Sequence, residues 1–323
     1  MRLMPRNKYI ALCFLAIVFM LITMLTDSSR NLGNMRTKWI SEIQQRVMLK
    51  MNTSTLSQTD INLRSQNWQE AYTNINRREA LLFGKFPSKM GFLTIGIPSV
   101  KRRNMTYLEN TLQSLVSKAS PEDRGRVIIV VFLTDSNHTW VIHRAKEVYK
   151  RFKEHVDSGF IQIVHPPHIL YPNFRLLERR FNDSPERVAW RSKQNLDYSY
   201  LMTYSQPLSK YYLQLEDDVI VTNNYTRKLK DFINRNPNKW LFLRMSKLGF
   251  IGLLFKNSDL LKVAEFLRIL FDEKPCDLLI NDLRVIKGQT KDILLSPSLF
   301  QHMGVISSLK HQIRHVKDKT FKD

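Results

Sequence analysis

Cysteine is nearly missing from this chain. Of its two cysteines, Cys13 lies inside an apolar run and Cys276 stands alone beyond it, so the part that follows the run cannot close a disulfide within itself. A disulfide-held miniature scaffold is therefore excluded. Packing must hold the core, and a span of more than two hundred residues suffices for that. Cys276 reads as a buried free thiol, with a bridge to a second chain as the alternative. Equally absent are a Gly-x-Gly-x-x-Gly fingerprint, a phosphate-binding loop, a Cys/His cluster of metal spacing, an internal repeat and a low-complexity tract. Acidic residues are few beside basic ones, 29 against 50, for a formal charge of +21. Such an excess first suggests nucleic acid. The basic residues are spread along the chain and no nucleic-acid motif accompanies them, so nucleic acid is set aside. Attraction to phosphate-bearing ligands or anionic membrane surfaces fits the charge as well.

What is present begins with the run at residues 9–25 (YIALCFLAIVFMLITML), which has no charged side chain and follows Arg2, Arg6 and Lys8. Its roughly 17 residues are at the short end for a membrane span, which usually needs about 20. A cleaved signal peptide is the competing reading, but the Thr-Asp-Ser-Ser that follows is a weak cleavage site. The expectation is a type II signal anchor, with residues 1–8 as a cytoplasmic tail and the remainder lumenal. Short spans suit the thin membranes of the early secretory pathway. Five Asn-x-Ser/Thr sequons, at Asn52, Asn104, Asn137, Asn182 and Asn224, agree with a lumenal glycoprotein.

Residues 26–90 are polar and almost free of Gly and Pro, and apolar residues at helical spacing make them a partly helical stem. The texture changes at Gly91. Residues 92–98 read as a strand ending in a turn and 107–117 as an amphipathic helix. The unbroken apolar run 127–133 reads as a strand covered on both faces. A helix over 141–156, a strand over 160–164 and a helix over 187–204 follow. This alternation predicts an α/β domain over residues 91–323, with ligands bound beyond the carboxyl ends of the strands.

At one such end the stretch Tyr-Tyr-Leu-Gln-Leu-Glu-Asp-Asp-Val-Ile-Val (211–221) runs an apolar strand into three consecutive carboxylates and back into strand. Adjacent acids repel one another, so a buried place for them calls for a cation. In an extended chain Glu216 and Asp218 share a face and Asp217 points the other way. Two hard oxygen donors on one face suit Mg²⁺ or Mn²⁺, which could neutralise the diphosphate of a nucleotide sugar. An acidic tip on a surface hairpin is the bland alternative.

Six segments together carry a resemblance: LTIGIPSVKR (93–102), ERVAWRSKQNLDY (186–198), YYLQLEDDVIV (211–221), KLGFIGLLF (247–255), EKPCD (273–277) and PSLFQHMG (297–304). In content and order the chain resembles the N-acetylglucosaminyltransferase IV family, Golgi enzymes that add β1,4-linked GlcNAc to the α1,3-mannose arm of N-glycans. The resemblance implies a GT-A glycosyltransferase fold, a Rossmann-like mixed sheet behind the transmembrane helix and stem. It also implies a UDP-GlcNAc donor, an N-glycan acceptor and a divalent metal, usually Mn²⁺. By analogy Asp218 ligates the metal, and Glu216 and Asp217 hold the nucleotide ribose or bound water. His302 becomes a second metal or diphosphate contact, or else a structural histidine. Arg191 and Lys193 are candidates for the diphosphate, and Asn195 and Asp197 for the uridine or ribose. Family members invert the anomeric centre, so a carboxylate must deprotonate the acceptor hydroxyl.

That last role meets a departure. Active relatives read roughly Lys-Pro-Ile-Asp-Trp-Leu-Leu-Asp-His, whereas this chain has Leu278 at the Trp position, Asn281 at the second acid and Asp282 at the His. An amide cannot take a proton at neutral pH, which leaves Asp277 and Asp282 as candidate bases. The family's larger members continue into a lectin-like β-sandwich, and the sequence given ends at Asp323. Two expectations follow: a medial-Golgi GlcNAc-transferase, or an inactive paralogue that associates with other Golgi glycosyltransferases and changes their activity.

Overall fold

The computed structural model describes residues 72, 74–102, 107–165, 171–304, 309 and 317–322. The apolar run at 9–25, most of the expected stem and the sequons at Asn52 and Asn104 lie outside the described residues. Among the described residues no helix is long and apolar enough to cross a membrane.

In chain order the elements are α1 (Arg77–Ala80), β1 (Leu81–Phe83), β2 (Gly91–Ser99), α2 (Tyr107–Lys118), α3 (Pro121–Arg124), β3 (Val127–Leu133), α4 (His138–Arg151), α5 (Lys153–Asp157) and β4 (Ile161–Val164). They continue with α6 (Pro185–Ser205), β5 (Ser209–Gln214), β6 (Val219–Val221), α7 (Tyr225–Arg235), β7 (Phe242–Arg244), β8 (Leu253–Lys256), α8 (Asn257–Ile269), α9 (Cys276–Ile286) and β9 (Phe300–His302). Seven strands form one sheet in the order β1-β4-β3-β2-β5-β8-β7, and β6 pairs with β9 in a second, two-stranded sheet. The centre, β4-β3-β2-β5, is parallel. The outer strands are antiparallel. The result is the mixed α/β architecture expected from the alternating pattern.

Burial explains that order. All seven residues of β3 are buried. Ile129 and Val131 join the core with Leu112 and Leu115 of α2 and Val141 and Val148 of α4. Phe132, one residue out of phase, stacks on Tyr200 of α6 at 5.1 Å, so the other face is covered too. Side chains that alternate into two apolar layers produce a continuous apolar run, as the sequence predicts. Helix α6 starts where Ser184 caps it by accepting from the Arg187 N–H, with Pro185 in the first turn.

The structure departs from the predicted elements in three places. The sheet begins before Gly91, because β1 pairs with β4 and Arg77 donates to the carbonyls of Thr203 (2.7 Å) and Tyr204 (3.0 Å) at the end of α6. The helix expected over 141–156 is two helices, broken at Phe152, which turns its ring into the core. Most consequential is the stretch 211–221, read as a strand that runs into the carboxylates and resumes beyond them. It leaves the main sheet after Gln214, bends through the acidic triplet, and re-enters strand at Val219 in the other sheet.

Candidate active site

The bend is built by its neighbours. Leu215 donates its N–H to the Gly96 carbonyl of β2 at 3.0 Å, the last sheet bond before the chain turns away. Thr111, buried in α2, then spans the turn. Its hydroxyl donates to the Asp217 carbonyl (2.8 Å) and accepts from the Val219 N–H (3.0 Å). On the far side Met303 donates its N–H to the Asp218 carbonyl at 2.9 Å, and Val219 lies opposite His302 in the β6–β9 ladder. The triplet is thus clamped where β2 and β5 end and the second sheet begins.

Its side chains divide as the alternation argument predicts, although the backbone here is a bend and no longer strand. Asp217 accepts from Ser99 Oγ at 2.6 Å and pairs with Arg102 Nη2 at 2.7 Å. Glu216 and Asp218 face His302, whose Nε2 lies 3.3 Å from Asp218 Oδ2. Arg102 Nη2 also comes within 3.5 Å of that oxygen.

The electrostatics are those of a site short of positive charge. Burial, and then Asp218, push the Glu216 carboxyl up to about 7, with His302 and Arg102 opposing. Burial raises Asp217 as well, against the pull of Arg102. The hydrogen bond to Asp218 raises His302. Among the described residues, the buried atoms Asp218 Oδ1 and His302 Nδ1 have no hydrogen-bond partner. Unpaired buried acceptors are costly, so a group that satisfies them is to be expected.

A divalent cation fits the residues present. Among the described residues, Glu216, Asp218 and His302 each bring one ligand atom to within 4.8 Å of the others'. Two carboxylates and an imidazole are a donor set that Mn²⁺ accepts readily. Gly304 keeps the space open: a Cβ there would lie 2.2 Å from Asp218 Oδ2, so any larger residue drives the carboxylate out of position.

The family model described as MGAT4 conserved region matches residues 51–321. The chain belongs to this family. Among its MGAT4 relatives, alpha-1,3-mannosyl-glycoprotein 4-beta-N-acetylglucosaminyltransferase C of Danio rerio is 38% identical over 261 residues, 79% of this chain and 58% of the relative. Alpha-1,6-mannosyl-glycoprotein 4-beta-N-acetylglucosaminyltransferase of Gallus gallus is 39% identical over 71% of this chain and 50% of its own length. The A form of the alpha-1,3 enzyme from Bos taurus is 39% identical over 71% of this chain and 46% of its own length. The chain thus spans about half the length of the curated relatives it matches. Of solved structures, S. aureus TarS 1-349 in complex with UDP-GlcNAc aligns with a TM-score of 0.39 and 8% identity, over 65% of this chain and 57% of that one.

The remaining candidates of this MGAT4-family chain fall into three groups. Asp277 sits half-buried in the first turn of α9. The neighbouring Cys276 thiol, free and buried, is pushed up by burial and then by the charges of Asp277 and Glu216. Asp282 is paired with Lys274 at 2.7 Å. Five residues further along the helix, it lies about 140° around from Asp277. Asn281 accepts from Arg244 Nη2 at 3.0 Å, and Leu278 is exposed.

The second group lies on α6. Arg191 and Asn195 tie α6 to neighbouring segments, and each keeps one buried atom, Arg191 Nη2 and Asn195 Oδ1, without a partner among the described residues. Arg191 holds Asp183 (3.1 Å) and the Asp272 carbonyl (2.9 Å). Asn195 donates to the carbonyls of Phe271 (2.7 Å) and Lys274 (2.8 Å). Together they fix the loop that delivers Asp277. Lys193 and Asp197 are paired at 2.6 Å, and Lys193 also donates to the Thr134 carbonyl at 2.8 Å, just past the carboxyl end of β3. Thr134 donates its N–H to the Ser99 carbonyl, so this pair stands one strand away from the Ser99–Asp217 contact. The third group is the sequons: Asn137, Asn182 and Asn224 are all exposed. Ser99, Arg102, Thr111 and Gly304 escape the sequence reading of the site. Ser99 and Arg102 lie in the LTIGIPSVKR segment and Gly304 closes PSLFQHMG, whereas Thr111 lies in none of the six.

Proposed function

We propose that this MGAT4-family chain is an inverting glycosyltransferase of GT-A type. It transfers GlcNAc from UDP-GlcNAc to a core mannose arm of N-linked glycans, with Mn²⁺ as its divalent metal. The observation that carries the proposal is the Glu216–Asp218–His302 cluster at the carboxyl edge of a parallel sheet, in a chain about 38% identical to named GlcNAc-transferases. When bound there, a divalent cation supplies charge neutralisation for the departing diphosphate.

Asp218 and His302 hold the cation, with Glu216 completing the set or binding the ribose. The Lys193–Asp197 pair and Ser99 form the neighbouring wall, towards the nucleoside. Asp277 is the base. It takes the proton of the acceptor hydroxyl as that oxygen bonds to the anomeric carbon. The bond from that carbon to the diphosphate oxygen breaks on the opposite face, and UDP leaves with the electron pair. Asn281 in place of an acid does not remove this base, because its side chain is engaged by Arg244 while Asp277 stands apart from it in the first turn of α9. We place the protein in the Golgi membrane as a single-pass type II glycoprotein with this domain in the lumen.

The test is transfer by the purified chain from UDP-GlcNAc with Mn²⁺ to a biantennary N-glycan, read by mass spectrometry. A single added GlcNAc that is lost in Asp218→Ala supports the proposal. UDP binding without transfer would instead support a donor-binding regulator of other glycosyltransferases, and neither binding nor transfer would refute both.

A further inference from the structure

Among the described residues, Arg102 is the one basic side chain besides His302 that pairs with the acidic triplet. It follows β2 by three residues and is 11% exposed. Its Nη2 makes a short contact with Asp217 Oδ1 (2.7 Å) and a longer one with Asp218 Oδ2 (3.5 Å). The two contacts differ in kind. The first is within hydrogen-bonding distance and the second is an electrostatic approach only. Asp218 Oδ2 is also the oxygen nearest His302, so Arg102 leans on an atom of the candidate cation site. Its own Nε is buried and has no hydrogen-bond partner among the described residues. The guanidinium packs over the Tyr107 ring at 5.3 Å, which steadies it without using a donor. Here, then, is a cation whose strongest bond lies outside the metal ligands, whose weakest lies on one of them, and which has a donor to spare.

We propose that Arg102 is a built-in counter-cation that trades places with the divalent metal. Without metal its positive charge partly neutralises Asp217 and Asp218. When metal takes Asp218, Arg102 keeps Asp217, gives up Asp218 and turns the freed side of its guanidinium, with the unpartnered Nε–H, to the donor's diphosphate. The inference rests on the donor-site reading above and adds an order to it, metal before nucleotide. Like charges this close repel strongly even at the effective permittivity of a protein surface, so Arg102 and a divalent cation cannot both approach Asp218 freely. A planar guanidinium is suited to two phosphate oxygens, where a lysine offers only a point charge.

The experiment measures Mn²⁺ binding by electron paramagnetic resonance without nucleotide, and UDP binding by calorimetry at saturating Mn²⁺. It compares the wild-type chain, Arg102→Gln and Arg102→Lys, each checked for an unchanged melting transition. The proposal predicts opposite signs. Arg102→Gln binds Mn²⁺ about tenfold tighter, because a competing charge is gone, yet binds UDP about tenfold more weakly. Arg102→Lys lies between wild type and Gln on both scales, and decides by its signs alone if the Gln variant does not fold. A purely structural role for Arg102 would weaken both affinities together. Unchanged or weaker Mn²⁺ binding in a folded variant overturns the proposal while leaving the donor site standing. Failure of the wild-type chain to bind Mn²⁺ at all overturns both.

Discussion

Replacing Glu216 with glutamine should stabilise the metal-free protein at neutral pH. Burial and Asp218 move the Glu216 ionisation from 4.5 to about 7. At about 1.4 kcal/mol per pH unit, holding this carboxylate ionised in the native state costs about 3 kcal/mol. Between these two values the native state binds a proton that the unfolded chain has released, so stability falls as pH rises from about 4.5 to 7. The raised His302 adds to the decline: its stabilising contribution is complete below its unfolded value of 6.5 and is lost as pH rises through the folded one. Glutamine keeps the shape and cannot ionise. The expected result, from urea denaturation in EDTA, is Glu216→Gln more stable than wild type by up to about 3 kcal/mol near pH 8, with the two converging near pH 4. With Mn²⁺ at about a hundred times its dissociation constant, wild type regains about 2.7 kcal/mol and the variant less. Equal stability of the two proteins at pH 8, or a gap that does not change with pH, would refute the reasoning.

Other outcomes follow from the same geometry. Asp277→Asn should lower kcat by about 10²–10⁴-fold with donor binding intact, whereas Asp282→Asn, which breaks a partly exposed pair with Lys274, should retain transfer and lose less than about 1 kcal/mol of stability. Initial-rate kinetics and thermal melts separate the two. Gly304→Ala should weaken Mn²⁺ binding by about tenfold or more, because its Cβ would lie 2.2 Å from Asp218 Oδ2 and push that side chain aside. Equal Mn²⁺ affinity in this variant would deny Asp218 its role. Thr111→Val removes the hydroxyl between Asp217 O and Val219 N–H, strands two buried backbone groups, and should cost about 1–3 kcal/mol by denaturant titration.

The layers of this fold are legible in the sequence, because β3 and α6 signal themselves locally. A strand covered on both faces must be apolar throughout, and a long helix that starts on Ser184-Pro185 carries its own start signal. The division of the triplet is legible as well, with Glu216 and Asp218 together and Asp217 apart. The bend that contains it is not. An alternating pattern cannot show that the chain changes sheets at Leu215, since that depends on β9, which lies far along the sequence. The same limit hides Arg102 and Thr111. Neither residue type announces a site, and their importance comes only from the ends of β2 and α2 meeting the triplet in space. Arg191 and Asn195 show a related case: polar residues on a long helix read as ligand candidates, while the pattern gives no sign that Arg191 Nη1 and Asn195 Nδ2 donate to the 271–274 backbone.

The measurement that bears most directly on the central claim is calorimetric titration of UDP-GlcNAc into the purified chain, once with Mn²⁺ and once with EDTA. The account predicts saturable binding that requires Mn²⁺ and disappears in Asp218→Asn. Binding of equal strength in EDTA, or no binding with Mn²⁺ present, would contradict it.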